Sequence, residues 1–119
     1  MDTGLDYLLE LHGSVVNRDD GYWWKIEAWE SQATRERPHG IHYRLTLHNK
    51  YNTRVFGMDN AHGIKVPKKK GFAAKRHEFD HVHRTASDKG THYEFVDCAT
   101  LLQDFFEGID STIKAIEGK

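Results

Sequence analysis

Cysteine is almost missing from this chain. Cys98 is the only one among 119 residues, which excludes an internal disulfide and a cysteine-based zinc site and fits a reducing compartment. No apolar run approaches the roughly 20 residues of a membrane span, and the acidic start Met1-Asp2-Thr3-Gly4 does not read as a signal peptide. We therefore expect a soluble, cytoplasmic protein with no membrane contact. Excess charge is lacking too: the formal net charge is −1, which speaks against a generally basic coat for nucleic acid. There is no internal repeat, and the length leaves no room for two cores, so residues 1–119 are expected to form one domain. What is present is globular in kind: 38% hydrophobic and 29% charged residues, with six Phe, five Tyr and three Trp.

Periodicity places strands first and one helix last. Residues 8–16 carry no sustained period and are read as a strand ending at the turn Asn17-Arg18-Asp19-Asp20-Gly21. Residues 22–30 alternate better, with Trp24, Ile26 and Ala28 on one face and Trp23, Lys25, Glu27 and Trp29 on the other. The cleanest alternation is at 41–48, with Ile41, Tyr43, Leu45 and Leu47 inward. A turn at 49–52 leads into a returning strand at 53–58, and residues 91–96 give a last strand. Asp97 is a good helix N-cap, and Leu101, Leu102, Phe105, Phe106, Ile109, Ile113 and Ile116 then recur at spacings of three and four. The expected fold is α+β, an antiparallel sheet of five or six strands in meander order packed against one C-terminal amphipathic helix.

Between these elements lies the densest chemistry. Residues 76–84 read Arg-His-Glu-Phe-Asp-His-Val-His-Arg. As one extended strand they put His77, Phe79, His81 and His83 on one face and Glu78, Asp80, Val82 and Arg84 on the other. Upstream, residues 65–76 hold six basic residues and no acid. In that stretch Lys68, Lys69, Lys70, Lys75 and Arg76 are the candidate contacts for a polyanion such as an RNA backbone, although a charge run is also commonly a solvated loop.

Several segments together resemble one family. They are Arg37-Pro38-His39-Gly40-Ile41, Tyr43-x-Leu45-Thr46-Leu47-His48, Phe56-Gly57-Met58-Asp59-Asn60-Ala61-His62, Asp80-His81-x-His83-Arg84, Asp88-Lys89-Gly90, Tyr93-Glu94-Phe95-Val96-Asp97 and Leu101-Leu102-x-Asp104-Phe105-Phe106. In their order and spacing, from about residue 21 to residue 109, they resemble the TumE family of bacterial toxin-antitoxin toxins. The resemblance implies a small cytoplasmic toxin neutralised by a cognate antitoxin with a helix-turn-helix DNA-binding domain. It supplies no mechanism, which has to come from the residues.

Three readings are open at that level. In the first, the protein is a metal-independent endoribonuclease with no cofactor and an RNA substrate. His81 and His83 then serve as general base and acid, with His62 as an alternate member, because imidazole holds both protonation states near neutrality. Asp59 or Asp80 would orient an imidazole, Tyr93 would contact phosphate, and Trp23 and Trp29 would stack on unpaired bases. Arg84 would stabilise phosphate charge, though strict alternation sets it on the face opposite both histidines and a bulge would be needed to bring it round. In the second reading His81 and His83 join His62 and Asp59 as ligands of a divalent metal in a hydrolase. In the third the chain has no enzymatic activity and acts as the binding partner of a DNA-binding antitoxin. Each residue also has a plain structural reading: Asp59-Asn60 as a turn, Tyr93 as core, His39, His42, His48 and His92 as surface or loop contacts, and Cys98 as a small buried residue. The sequence leaves a homodimer open.

Overall fold

The structure, a computed structural model, describes residues 4–35, 39–60, 64–66, 76–78, 80–85 and 90–118. Six strands form one antiparallel sheet: β1 (Ser14–Asn17), β2 (Trp23–Glu30), β3 (Ile41–His48), β4 (Arg54–Asp59), β7 (His81–His83) and β8 (Thr91–His92). Between β4 and β7 in sequence, β5 (Ile64–Val66) and β6 (Arg76–Glu78) pair with each other as a separate two-stranded sheet. The six strands lie side by side in meander order, each antiparallel to the next, as the alternation of β2 and β3 requires.

The N-terminal expectation was wrong in kind. Residues 5–10 form a short helix, α1 (Leu5–Glu10), and the strand is confined to residues 14–17. Leu5, Leu8 and Leu9 stand at helical rather than strand spacing, and Leu8 is completely buried. Gly4, at φ 84°, opens α1 where a Cβ would come within 2.7 Å of the Ala99 backbone nitrogen, so only glycine permits this approach of the two helices.

The closing helix is as the pattern predicts: α2 (Cys98–Glu117) begins at Asp97, whose carboxylate accepts from the Thr100 amide at 2.7 Å, and ends at Gly118 with φ 73°. Cys98, Leu101, Leu102, Phe105 and Ile109 are buried against Ile26, Tyr43, Leu45, Phe56, Met58 and Val82 of the sheet. Each such side chain contributes about 1.5–3 kcal/mol by leaving water. Gly108 lets the Phe56 ring press on the helix, since a Cβ there would fall 2.1 Å from Phe56 Cζ. This apolar layer occupies one face of the sheet, so the alternate residues of β2, β3, β4 and β7 turn to the other.

The expected continuous histidine strand is broken. Residues 76–78 pair with β5, and residues 81–83 pair with β4 in the main sheet. The break falls at Asp80, whose carboxylate is held by groups from a distant part of the chain. The last strand is likewise shorter than expected, Thr91–His92 rather than 91–96.

Candidate functional site

The register of β4 on β7 assembles the site. Asp59 faces His81, Met58 faces Val82 and Gly57 faces His83. Met58 and Val82 turn into the apolar layer, so alternation sends Asp59, His81 and His83 to the opposite face. All three are buried: His81 is 0% exposed, Asp59 and His83 each 6%. The carboxylate sits between the rings, with Oδ1 3.0 Å from His81 Nε2 and Oδ2 3.2 Å from His83 Nε2. The rings stand edge to face, 4.7 Å apart and inclined at 79°. Neither of these two nitrogen–carboxylate contacts has the directionality of a hydrogen bond. The three donor atoms converge within 4.8 Å of one another.

Two neighbours fix this geometry. Asn60 is fully buried; its side chain accepts from the Tyr43 amide at 3.0 Å and donates to the Ile41 carbonyl at 2.6 Å, extending the β3/β4 ladder by one rung just beyond Asp59. Instead of turning the chain at Asp59-Asn60, the pair holds the end of β4 in place. Gly90, at φ 114°, packs on the rings so closely that a Cβ would lie 2.8 Å from His81 Cδ2 and 3.1 Å from His83 Cε1.

Asp80, adjacent in sequence, builds something different. It accepts from His39 Nε2 at 3.1 Å and from the Tyr43 hydroxyl at 2.7 Å, while His39 Nδ1 accepts from the Ile41 amide. Nδ1 being an acceptor, Nε2 carries the proton, and the His39 ring also lies 4.1 Å from Phe95. Burial and the Asp80 carboxylate push the Tyr43 hydroxyl far above the usual tyrosine range. Asp80 does orient an imidazole, but that of His39 rather than of His81 or His83. His39 is thus a clasp between distant segments, which no local spacing could announce.

Arg84 and Tyr93 go elsewhere. Both line a groove of about 790 Å³ between β4, β7 and α2, on the apolar side of the sheet, together with Phe56, Val82 and Asp104. The Tyr93 hydroxyl donates to Asp104 at 2.5 Å, and burial together with that bond raises it well above the usual range. Arg84 thus follows strict alternation, and no bulge carries it to the histidine face. His62, Lys68, Lys69, Lys70 and Lys75 lie outside the described residues, as does the side chain of Arg76. Of the two tryptophans, Trp29 is 47% exposed and stacks on His42 at 5.4 Å, whereas Trp23 is half-buried and stacks on His48 at 4.0 Å. Cys98 is buried under the helix, as expected of a small packing residue.

A model of the family described as Toxin TumE matches residues 7–113. The chain belongs to the TumE toxin family. It is therefore a toxin of a toxin-antitoxin system, and membership implies a cognate antitoxin as partner. The match takes in every residue of the Asp59, His81 and His83 cluster and of the Asp80 clasp. No curated protein and no solved structure matches the chain. No helix among the described residues is long and apolar enough to cross a membrane.

Proposed function

We propose that this TumE toxin cleaves RNA, with Asp59, His81 and His83 as its catalytic centre. The observation that carries the reading is the carboxylate set between two imidazoles, all three buried on the face of the sheet that α2 does not cover. Attack of a ribose 2′-oxygen on the adjacent phosphorus forms one P–O bond and breaks that to the 5′-oxygen. One proton must leave the 2′-hydroxyl and one must reach the departing oxygen, and imidazole beside carboxylate manages such transfers near neutral pH. Because His81 and His83 face the same carboxylate, the three side chains act as one unit at a single place rather than as an acid and a base spread along the substrate. His62 remains the further histidine nominated by sequence. Lys68, Lys69, Lys70, Lys75 and Arg76 are proposed to hold the RNA backbone, which makes binding strongly salt-dependent. The setting is the cytoplasm, with an antitoxin of the helix-turn-helix type.

The test is incubation of purified, antitoxin-free protein with total cellular RNA. Wild-type chain should give fragments, and Asp59→Asn should slow their formation by at least about 100-fold while the protein stays folded. A wild-type toxin that stops growth yet leaves RNA intact would refute the reading.

A further inference from the structure

We propose that Asp59, His81 and His83 bind one divalent transition-metal ion of the zinc class. The catalytic meaning of this site rests on the RNA-cleaving reading above, with water on the ion rather than the two ligating rings then taking the proton, whereas the binding itself does not.

Ligands about 2.0–2.1 Å from a tetrahedral ion stand about 3.3 Å apart. The two imidazole nitrogens lie 3.0 and 3.2 Å from the carboxylate oxygens they face, and all three donor atoms fall within 4.8 Å. The facing nitrogen–oxygen pairs stand near that separation, and donors as far apart as 4.8 Å must close by about 1.5 Å, a change that side-chain rotation supplies, to share one centre. Two imidazoles and a carboxylate suit zinc, cobalt or manganese rather than magnesium or calcium, which prefer all-oxygen sites. Three protein ligands also leave coordination positions that the named side chains do not fill, as catalytic rather than structural metal sites do.

The bland alternative is a carboxylate that merely orients two rings. The same chain shows what that looks like: Asp80 takes hydrogen bonds from His39 and Tyr43 in proper alignment. At Asp59 the atoms approach as closely, but the two Nε2 contacts lack hydrogen-bond alignment and the three donor atoms cluster within 4.8 Å. The backbone supports precise placement, since antiparallel pairing fixes Asp59 opposite His81, and Gly90 closes on both rings. A carboxylate and two imidazoles held out of water also gain from a cation among them.

The experiment uses the full chain, stripped with EDTA and titrated with Co²⁺ and with Zn²⁺ in the absence of RNA. One equivalent should bind, Co²⁺ should develop visible absorption, and imidazole ¹H–¹⁵N spectra of the wild-type chain should show Zn²⁺ acting on the His81 and His83 rings. Asp59→Asn and His83→Gln should weaken binding by at least about 100-fold, whereas Asp80→Asn and His92→Ala should leave it unchanged. Failure of the wild-type chain to bind, or Zn²⁺ acting on other imidazoles, would overturn the proposal without needing any variant to fold. Stripped protein that cuts RNA at full rate would sink the metal site as a catalytic element and leave the RNA reading standing. A bound ion with intact RNA would do the reverse.

Discussion

Asp59 and Asp80 make an instructive pair. Each is a carboxylate facing two ring-bearing side chains; Asp59 ends β4 and Asp80 lies just before β7, the strand that pairs with it. At Asp80 the protons have assigned places: His39 is held in one tautomer by the Ile41 amide, and Tyr43 donates its hydroxyl. That arrangement is complete without a ligand and joins the segment before β3 to the segment before β7. At Asp59 the two imidazoles approach in pairs with the carboxylate but without hydrogen-bond alignment, and their donor atoms converge. Residue type therefore says little about role here; alignment says most. Histidine beside aspartate is a fastening in one cluster and, in our proposal, a reactive, metal-binding centre in the other.

The largest expected effect comes from distorting one cluster without touching its donor atoms. Gly90→Ala forces a Cβ to within 2.8 Å of the His81 ring at a backbone φ of 114°, so stability should drop by roughly 2–4 kcal/mol. Urea denaturation measures that loss. RNA cleavage, assayed where the variant is still folded, should fall with it.

His39→Ala does the opposite and opens the clasp. It leaves the Asp80 carboxylate and the Ile41 amide short of a partner, costing about 1–3 kcal/mol of stability by urea denaturation while cleavage per folded molecule changes little. Tyr93→Phe is milder. It removes only the bond to Asp104 and should cost about 1 kcal/mol with cleavage unchanged; a tenfold fall in cleavage would restore Tyr93 as a substrate contact.

The smallest effect is one of pH. Burial first, and then Lys25 and Arg54, lower the pKa of His48 below its ordinary 6.5. The unfolded chain thus takes up a proton that the folded chain resists. The contribution of His48 is fully present above pH 6.5 and is lost as pH falls through that value toward the lower folded pKa. Comparing urea midpoints at neutral and mildly acidic pH, the acid-side loss should be slightly smaller in His48→Gln than in wild type.

The sheet and the closing helix were legible because their signals are local. Alternation in 41–48, the turn at 49–52 and the Asp97 cap each depend on residues a few positions apart. The short first helix was not, because three leucines are too few to separate a helical period from an irregular one. The break of the histidine stretch was also invisible. It is tied to Asp80, whose partners lie 37 and 41 residues away. For the site, His81 and His83 stood out by spacing and Asp59 through the separate segment 56–62 that carries part of the family resemblance, while Arg84 obeyed the alternation that had counted against it. Asn60 and Gly90 gave no sign of their part, because a side chain that extends a ladder and a glycine that closes on two rings are defined only by tertiary contact.

The most direct measurement compares two substitutions of the same kind, Asp59→Asn and Asp80→Asn, for RNA cleavage and for urea stability in parallel. Asp59→Asn should lose at least about 100-fold in cleavage with a near wild-type midpoint, while Asp80→Asn should lose about 1–3 kcal/mol of stability and keep its cleavage rate. If Asp59→Asn cleaves at the wild-type rate while Asp80→Asn is stable and inactive, the centre has been assigned to the wrong carboxylate.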